Sequence, residues 1–598
     1  MTENQNNSES ASSEADPSQI LANNIKQIEA LLAEISNGHK HLNHDPFNLS
    51  EACSVWFDVI SKNPEKVFEA GLQYWQDAMK LYQQSALALM GAGNGEQVIS
   101  EQKGDRRFKH EAWQDQPVYN LIKQSYLLTS RWARDLVTDV DGLDKQTAEK
   151  VAFFTERYLD SLSPTNFAHT NPAVIEKTIE SNGENLVKGL KNMLGDLKKG
   201  NGSLQITMTD TEAFELGKNV ATTPGKVVFR NRMLELLQYS PTTDKVYTKP
   251  LLVIPPWINK FYVLDLQPKN SLIKWLVDQG HTVFVVSWIN PDESYRDTGF
   301  EDYVIDGVEA AIDAIEKATG QKKVNAIGYC IGGALLATAL AYFKSTGEDR
   351  ISSATLLTTM LDYEEPGELG VFVDQKQVDN LDAKMQGNGY LEGSSMATTF
   401  NMLRANDLIW SFYINNYLLG NDPRPFDLLY WNSDSTRMPA KMHSWYLQNF
   451  YIDNLLCKPG GIDIKGVEID LSTVDIPVCF VSTIDDHIAP WKSTFAGTKL
   501  FSGPVRFILG GSGHIAGVVN PPADKKYGYR VTDKPPANPE KWFDTAEQNE
   551  GSWWPEWQRW ISRKAGKKVA ARAPGSKKLK VIEDAPGSYV KVRLSADS

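Results

Sequence analysis

The sequence predicts an α/β domain on a mostly parallel sheet, preceded by an α-helical domain and interrupted by a cap insertion. Three observations carry this. After about residue 205, short β-branched runs alternate with helical stretches. Before it, apolar residues recur at spacings of three and four. A glycine-flanked cysteine, Gly328-Tyr329-Cys330-Ile331-Gly332-Gly333, stands between one apolar run and the helical run ALLATALAYF.

Residues 1–19 are polar and acidic and hold too few apolar side chains to offset the entropy of ordering, so they are expected to be a disordered tail. Residues 20–205 are read as an α-helical N-terminal domain. Leu21, Ile25, Ile28, Leu32 and Ile35 share one helical face, and Val67, Phe68, Leu72, Trp75, Met79 and Tyr82 share another after Pro64. Such stripes are expected to face a core or a partner helix, with adhesion to a membrane or lipid surface as the alternative. Leu136, Val140 and Leu143, then Leu186, Leu190, Met193 and Leu194, continue the pattern to the breaker Gly200-Asn201-Gly202.

Residues 206–598 form the predicted α/β domain. Its strands are expected at Leu251 to Ile254, His281 to Ile289, Val324 to Tyr329, Ile351 to Thr359, Pro477 to Thr483 and Pro504 to Leu509. Continuous apolar runs suit parallel strands buried on both faces. A helix is expected over Gly307 to Thr319, where Val308, Ala311, Ile312 and Ile315 are spaced for one face. The insertion at about 362–470 is too long for a plain loop and carries twelve aromatics between Phe400 and Tyr451, which marks a cap. The tail from Lys564 is basic and reads as a surface or interaction segment.

The net charge of −13 argues against nucleic acid as the main partner, since phosphate backbones are held by clustered Lys and Arg. Four widely spaced cysteines form neither a disulfide framework nor a zinc pattern and fit a reducing cytoplasm. The N-terminus lacks the basic start and apolar core of an export signal, and no run is long enough for a transmembrane segment.

The Cys330 turn has the form of the nucleophile elbow G-x-S-x-G with cysteine for serine, which points to the α/β-hydrolase fold. That fold places an acid and then a histidine at the ends of later strands. Asp486 follows PVCFVST, with Asp485 beside it as a close rival, and His514 follows PVRFILG in a glycine-rich turn. His487 is the rival histidine, read as a partner of its own loop. Of two oxyanion-hole N–H groups, one is expected from Ile331 after the nucleophile and one from the Pro255 to Lys260 loop. The prolines have no N–H, which leaves Trp257 or Ile258, and Ile258 is favoured. A thiol attacking a thioester exchanges one thioester for another at nearly equal free energy, so cysteine here favours acyl transfer over ester hydrolysis. A free thiol near pKa 8.5 needs His514 to form thiolate, and Asp486 to orient the ring.

From about Asp105 onward the chain resembles the polyhydroxyalkanoate synthases of the single-chain, class I type. The likeness runs through DRRF, PPWINKFYVLDL, VSWINPD, GYCIGG, FDLLYWNSDSTRMP, DDHIAPW, GGSGHIAGVVNPP and APGSYVKV. It implies Cys330 as the acylated nucleophile, His514 as its activator and Asp486 as an aid to the incoming hydroxyl, directly or through His514. It implies (R)-3-hydroxyacyl-CoA as substrate and a polyester and free CoA as products. No metal or redox cofactor is implied, CoA being part of the substrate. It implies a homodimer in the cytoplasm at the surface of polyhydroxyalkanoate granules, with granule proteins such as phasins as further partners. The Tyr329-Cys330-Ile331 triplet resembles the short-chain type, pointing to 3-hydroxybutyryl-CoA. Tyr430 to Asp434 resembles a family cap motif and is read first as packing and hydrogen bonding. The alternatives are a thioesterase or lipase-like hydrolase of the same fold, which would release hydroxy acid, and a non-catalytic granule-associated protein, which would not depend on Cys330.

Overall fold

The computed structural model describes residues 47–92, 96–532 and 535–593. The expected tail over 1–19 and the stripe from Leu21 to Ile35 lie outside the described residues. By internal contacts the described chain divides into two units. One comprises Cys53–Met208 with Arg404–Pro423, and the other is built mainly from Thr209–Leu403 and the chain from Arg424 onward.

The first unit is helical, with α1 (Pro64–Leu87), α2 (Pro117–Val137), α3 (Lys145–Ser161), α4 (Pro172–Glu180) and α5 (Glu184–Lys199). Prolines open α1, α2 and α4, where the missing N–H costs nothing, and the Asp144 and Asn171 side chains accept from the first turns of α3 and α4. α1 inverts the expected face: Phe68, Trp75 and Met79 are 70%, 62% and 63% exposed, and Ala78, Leu81 and Ser85 are buried instead. α1 is anchored on α2 by Asp77 with Arg131 and by Tyr74 against Trp132. The helix expected through Val140 and Leu143 stops at Val137, since Thr138 is extended and Asp139 has φ 52°, which ends the helical hydrogen bonding. The 404–423 segment of the insertion belongs to this unit. Tyr417 donates to Asp196 at 2.6 Å, and Gly189 is required because a Cβ there would lie 1.8 Å from the Tyr417 carbonyl oxygen.

The second unit holds an eleven-stranded sheet. In chain order its strands are β1 (Gly225–Arg230), β2 (Leu234–Tyr239), β3 (Leu251–Ile254), β4 (Val283–Trp288), β5 (Val324–Tyr329), β6 (Ile351–Leu357), β7 (Val478–Thr483), β8 (Val505–Gly510), β9 (Tyr529–Thr532), β10 (Glu547–Asn549) and β11 (Glu583–Asp584). The central order β4-β3-β5-β6-β7-β8 is parallel throughout. The flanks, β2-β1-β11 on one side and β9-β10 on the other, are antiparallel. The six parallel strands are the six apolar runs of the sequence, trimmed at their ends. Helices α6 (Leu272–Asp278), α7 (Ala310–Thr319) and α8 (Ile331–Ser345) cross between strands, with a π-helical turn at Tyr303–Glu309 leading into α7. α8 is apolar all round and almost wholly buried, as a helix central to a doubly covered sheet must be. One face of the sheet packs Leu252, Phe284, Leu335 and Leu336, and the other packs Val253, Val285, Leu276 and Trp557.

Within this unit the insertion supplies α9 (Gln375–Asn388), α10 (Gly393–Leu403), α11 (Asp427–Asn432) and α12 (Ala440–Tyr446), the last running into a π-helical turn at Leu447–Ile452. After β10, α13 (Trp554–Ser562) buries Trp554, Trp557 and Trp560. No helix among the described residues is long and apolar enough to cross a membrane.

Candidate active site

β5 ends at Tyr329 and α8 begins at Ile331, so Cys330 alone makes the turn, at φ 53° and ψ −122°. A non-glycine residue avoids this region, and the surroundings enforce it. Cys330 N–H donates to the Leu357 carbonyl at 2.8 Å, and its carbonyl accepts from Gly333 N–H at 2.8 Å and from the Thr359 hydroxyl at 3.2 Å. The glycines are needed for close approach: a Cβ on Gly332 would lie 2.4 Å from the Ile254 carbonyl oxygen, and one on Gly333 2.0 Å from Thr359 Oγ1.

The turns after β7 and β8 bring Asp486 and His514 together, with Nδ1 of the ring 2.8 Å from Asp486 Oδ2. Asp486 Oδ1 accepts from the N–H groups of Ile488 and Ala489, each at 2.9 Å. Both carboxylate oxygens are thus engaged, and the side chain is fully buried. Asp485, its rival in sequence, is exposed, while His487 is half-buried on the same loop. Burial alone would push the His514 imidazolium toward neutrality; the charge and hydrogen bond of Asp486, together with the Cys330 sulfur, overcome this and raise it to about 10. With Nδ1 committed to Asp486, Nε2 is the ring nitrogen left for the thiol. Tyr329 stacks on the His514 ring at 5.6 Å and donates to its carbonyl at 3.2 Å, holding the histidine from behind. Nothing in the sequence flagged that use of Tyr329.

Cys330, Ile331 and Ile258 line one apolar cavity with cap residues from α9, α10 and α12. Tyr363, Tyr446 and Tyr451 stand on its wall, their phenols kept protonated by burial. The loop carrying Ile258 is clamped by α11 and the segment that follows it. Thr436 donates to the Trp257 carbonyl at 2.8 Å and Trp431 Nε1 to the Lys260 carbonyl at 2.7 Å. Lys260 pairs with Asp434 at 2.7 Å and donates to the carbonyls of Val590 and Val592, each at 2.8 Å, while Tyr262 donates to Asp434 at 2.9 Å. The Tyr430 to Asp434 motif therefore packs and hydrogen-bonds, and what it holds is the loop beside the cavity. Thr358, Thr359 and the tyrosines were not singled out in the sequence. For the two threonines a signal was available, because ligands of open parallel sheets sit beyond the carboxyl ends of strands, where Thr358 and Thr359 lie. Among the described residues no group of three or more His, Cys, Asp and Glu is placed to hold a metal ion.

This sheet order, with a strained cysteine elbow after β5 and an acid and a histidine after β7 and β8, defines the α/β-hydrolase fold. The model of that fold matches residues 249–521, and the model described as the N-terminus of poly-beta-hydroxybutyrate polymerase (PhaC) matches residues 104–276. A poly(3-hydroxyalkanoate) polymerase of Methylorubrum extorquens is 48% identical over 91% of this chain and 89% of its own. The corresponding polymerase subunit of Rhizobium meliloti is 48% identical over 91% and 88%, and that of Cupriavidus necator 42% identical over 89% of each. The chain belongs to the poly(3-hydroxyalkanoate) polymerase family, enzymes of the acyltransferase class.

Proposed function

We propose that this chain polymerises (R)-3-hydroxyacyl-CoA, with 3-hydroxybutyryl-CoA as the short-chain substrate, through a thioester on Cys330. The observation that carries the reading is the row Cys330, His514, Asp486 at the edge of an apolar, cap-covered cavity. The thiol proton rests on His514, and the thiolate adds to the substrate thioester carbonyl. The N–H groups of Ile331 and Ile258 stabilise the oxyanion. Ile331 is the first residue of α8, where a backbone N–H has no intrahelical acceptor. The carbon–sulfur bond to CoA breaks, and His514 returns the proton to the departing thiolate. The 3-hydroxyl of another unit then attacks the Cys330 thioester. Its proton goes to His514, an ester bond forms and the Cys330 carbon–sulfur bond breaks.

Asp486 serves through His514. Its Oδ2 is on the ring and within 3.4 Å of the Thr483 hydroxyl, its Oδ1 is on two backbone N–H groups, and the side chain is fully buried, all of which supports the route through the ring. This choreography uses only the chain's own residues and the CoA thioester, with no metal or redox cofactor. The short-chain preference rests on the likeness of the Tyr329-Cys330-Ile331 triplet. The family resemblance also supports a homodimer at the surface of cytoplasmic polyester granules, alongside phasin-type proteins.

The test mixes the purified chain, or its Cys330→Ala variant, with (R)-3-hydroxybutyryl-CoA and follows free CoA while analysing the acyl product. Catalytic CoA release with insoluble polyester, lost in the variant, is expected. Stoichiometric free hydroxybutyrate would replace the reading with a thioesterase, and release independent of Cys330 would remove it.

A further inference from the structure

Two polar side chains on the cavity wall each bury an atom that has no hydrogen-bond partner among the described residues, and neither has a part in the chemistry above. Thr358, the residue after β6, is fully buried, and its Oγ1 has no hydrogen-bond partner among the described residues. Its φ is 42°, a region that β-branched residues avoid. Its N–H is tied to the Val481 carbonyl at 2.7 Å, and Thr359 beside it donates to the carbonyls of Leu357 at 3.0 Å and Cys330 at 3.2 Å. These bonds fix a strained corner next to the nucleophile and place Thr358 on the cavity that Cys330 opens into. His443 on α12 is the second case. It is 4% exposed, lines the same cavity, and its Nδ1 is likewise buried without a partner. Burial pushes its conjugate acid down to about 4, so the ring is neutral at physiological pH and offers one donor and one acceptor.

Buried polar atoms without partners are few in folded proteins, and backbone strain collects where a ligand is handled. Around these two groups the wall is largely apolar, with Met360, Leu369, Phe372 and Val373 among its members. A hydroxyacyl chain carries the complement: beyond the thioester carbonyl, its next polar atom is the oxygen on the third carbon. That oxygen is a free hydroxyl in a single unit and an ester oxygen, followed by an ester carbonyl, in a growing chain.

We propose that the Thr358 hydroxyl is the hydrogen-bond station for the third-carbon oxygen of the acyl group on Cys330, and that His443 serves the next oxygen along the growing chain. The inference rests on the acyl-transfer reading and deepens it, because it makes this cavity select oxygenated acyl chains over plain ones.

Thr358→Val keeps the branched shape and removes only the hydroxyl. The experiment measures Cys330-dependent CoA release by the full chain, Thr358→Val and Thr358→Ser, from (R)-3-hydroxybutyryl-CoA and from butyryl-CoA. In Thr358→Val the preference for the hydroxylated substrate, as a ratio of kcat/KM for first CoA release, is expected to fall about tenfold, with Thr358→Ser retaining most of it. His443→Leu is expected to slow release from the CoA thioester of the 3-hydroxybutyrate dimer about tenfold relative to the monomer. Parallel losses on both substrates, or an unchanged ratio, in an active Thr358→Val enzyme would overturn the assignment to Thr358. Equal losses on dimer and monomer would overturn that to His443. If the unaltered chain releases no CoA through Cys330 from any of these thioesters, the acyl-transfer reading falls and this inference with it.

Discussion

At the scale of single residues, His514 is set by three neighbours: Asp486 on one ring nitrogen, Cys330 at the other side and Tyr329 behind the ring. Its cation is favoured in the folded state up to about pH 10, against about 6.5 in an unfolded chain. A raised folded value means the stabilisation is full below about pH 6.5 and is lost as pH rises through about 10. Asp486→Asn removes the charge responsible, so its deficit in Tm relative to the parent chain is expected to be largest at the low end of that window and to shrink towards the high end. A deficit that grows with pH would refute the coupling. Cys330→Ser should keep the elbow, because the turn is held by backbone bonds and glycine clearances, yet lower CoA release by orders of magnitude, since His514 must then activate an alcohol. At this scale much was legible in the sequence. Cys330 and His514 stand in turns with recognisable punctuation. The choice between Asp485 and Asp486 was not legible, because it depends on how one turn after β7 directs adjacent side chains.

At the scale of elements, the loop before Lys260 and the stretch from Trp431 to Thr436 act as one clamp. Lys260 and Asp434 are both buried, and burial pulls the Lys260 ammonium downward against the upward pull of Asp434. Asp434→Asn leaves that ammonium without its counter-charge and is expected to cost about 3 kcal/mol in denaturant unfolding. Thr436→Val strips a hydrogen bond from the buried loop at Trp257 and should cost about 1 kcal/mol. Its kcat should fall with KM little changed if Ile258 is an oxyanion donor. Gly333→Ala drives a Cβ into Thr359 and is expected to cost about 2 kcal/mol or more. The parallel strands were legible because burial on both faces writes them as unbroken apolar runs. The antiparallel flanks were not. β2 carries Glu235 and Gln238, both buried, whose partners are Arg230 with the backbone of Ser588 and Tyr589, and the backbone of Ala573 and Gly575. Buried polar residues whose backbone partners lie more than 300 positions away leave little local signal. β10 and β11 are too short and polar to register at all.

At the scale of the whole molecule, the division into units follows contacts rather than the order of the chain, since the insertion is shared between the two. The sequence marked the insertion by length and aromatic content, but nothing in it separates residues 404–423 from the cap around them. The exposed stripe on α1 suits the polymer surface that the proposed activity creates. Phe68, Trp75 and Met79 changed together to Ser are expected to weaken co-sedimentation with amorphous polyester particles while CoA release from soluble substrate persists. Loss of both together would mean that the stripe holds the fold. The central claim is a covalent acyl group on Cys330, and it is tested most directly by acid-quenching the chain seconds after mixing with (R)-3-hydroxybutyryl-CoA and mapping adducts by mass spectrometry. The account predicts hydroxybutyryl units on the peptide containing Cys330, released by neutral hydroxylamine and absent in Cys330→Ala. Turnover with no adduct on that peptide, or with the acyl group on another residue, would contradict it.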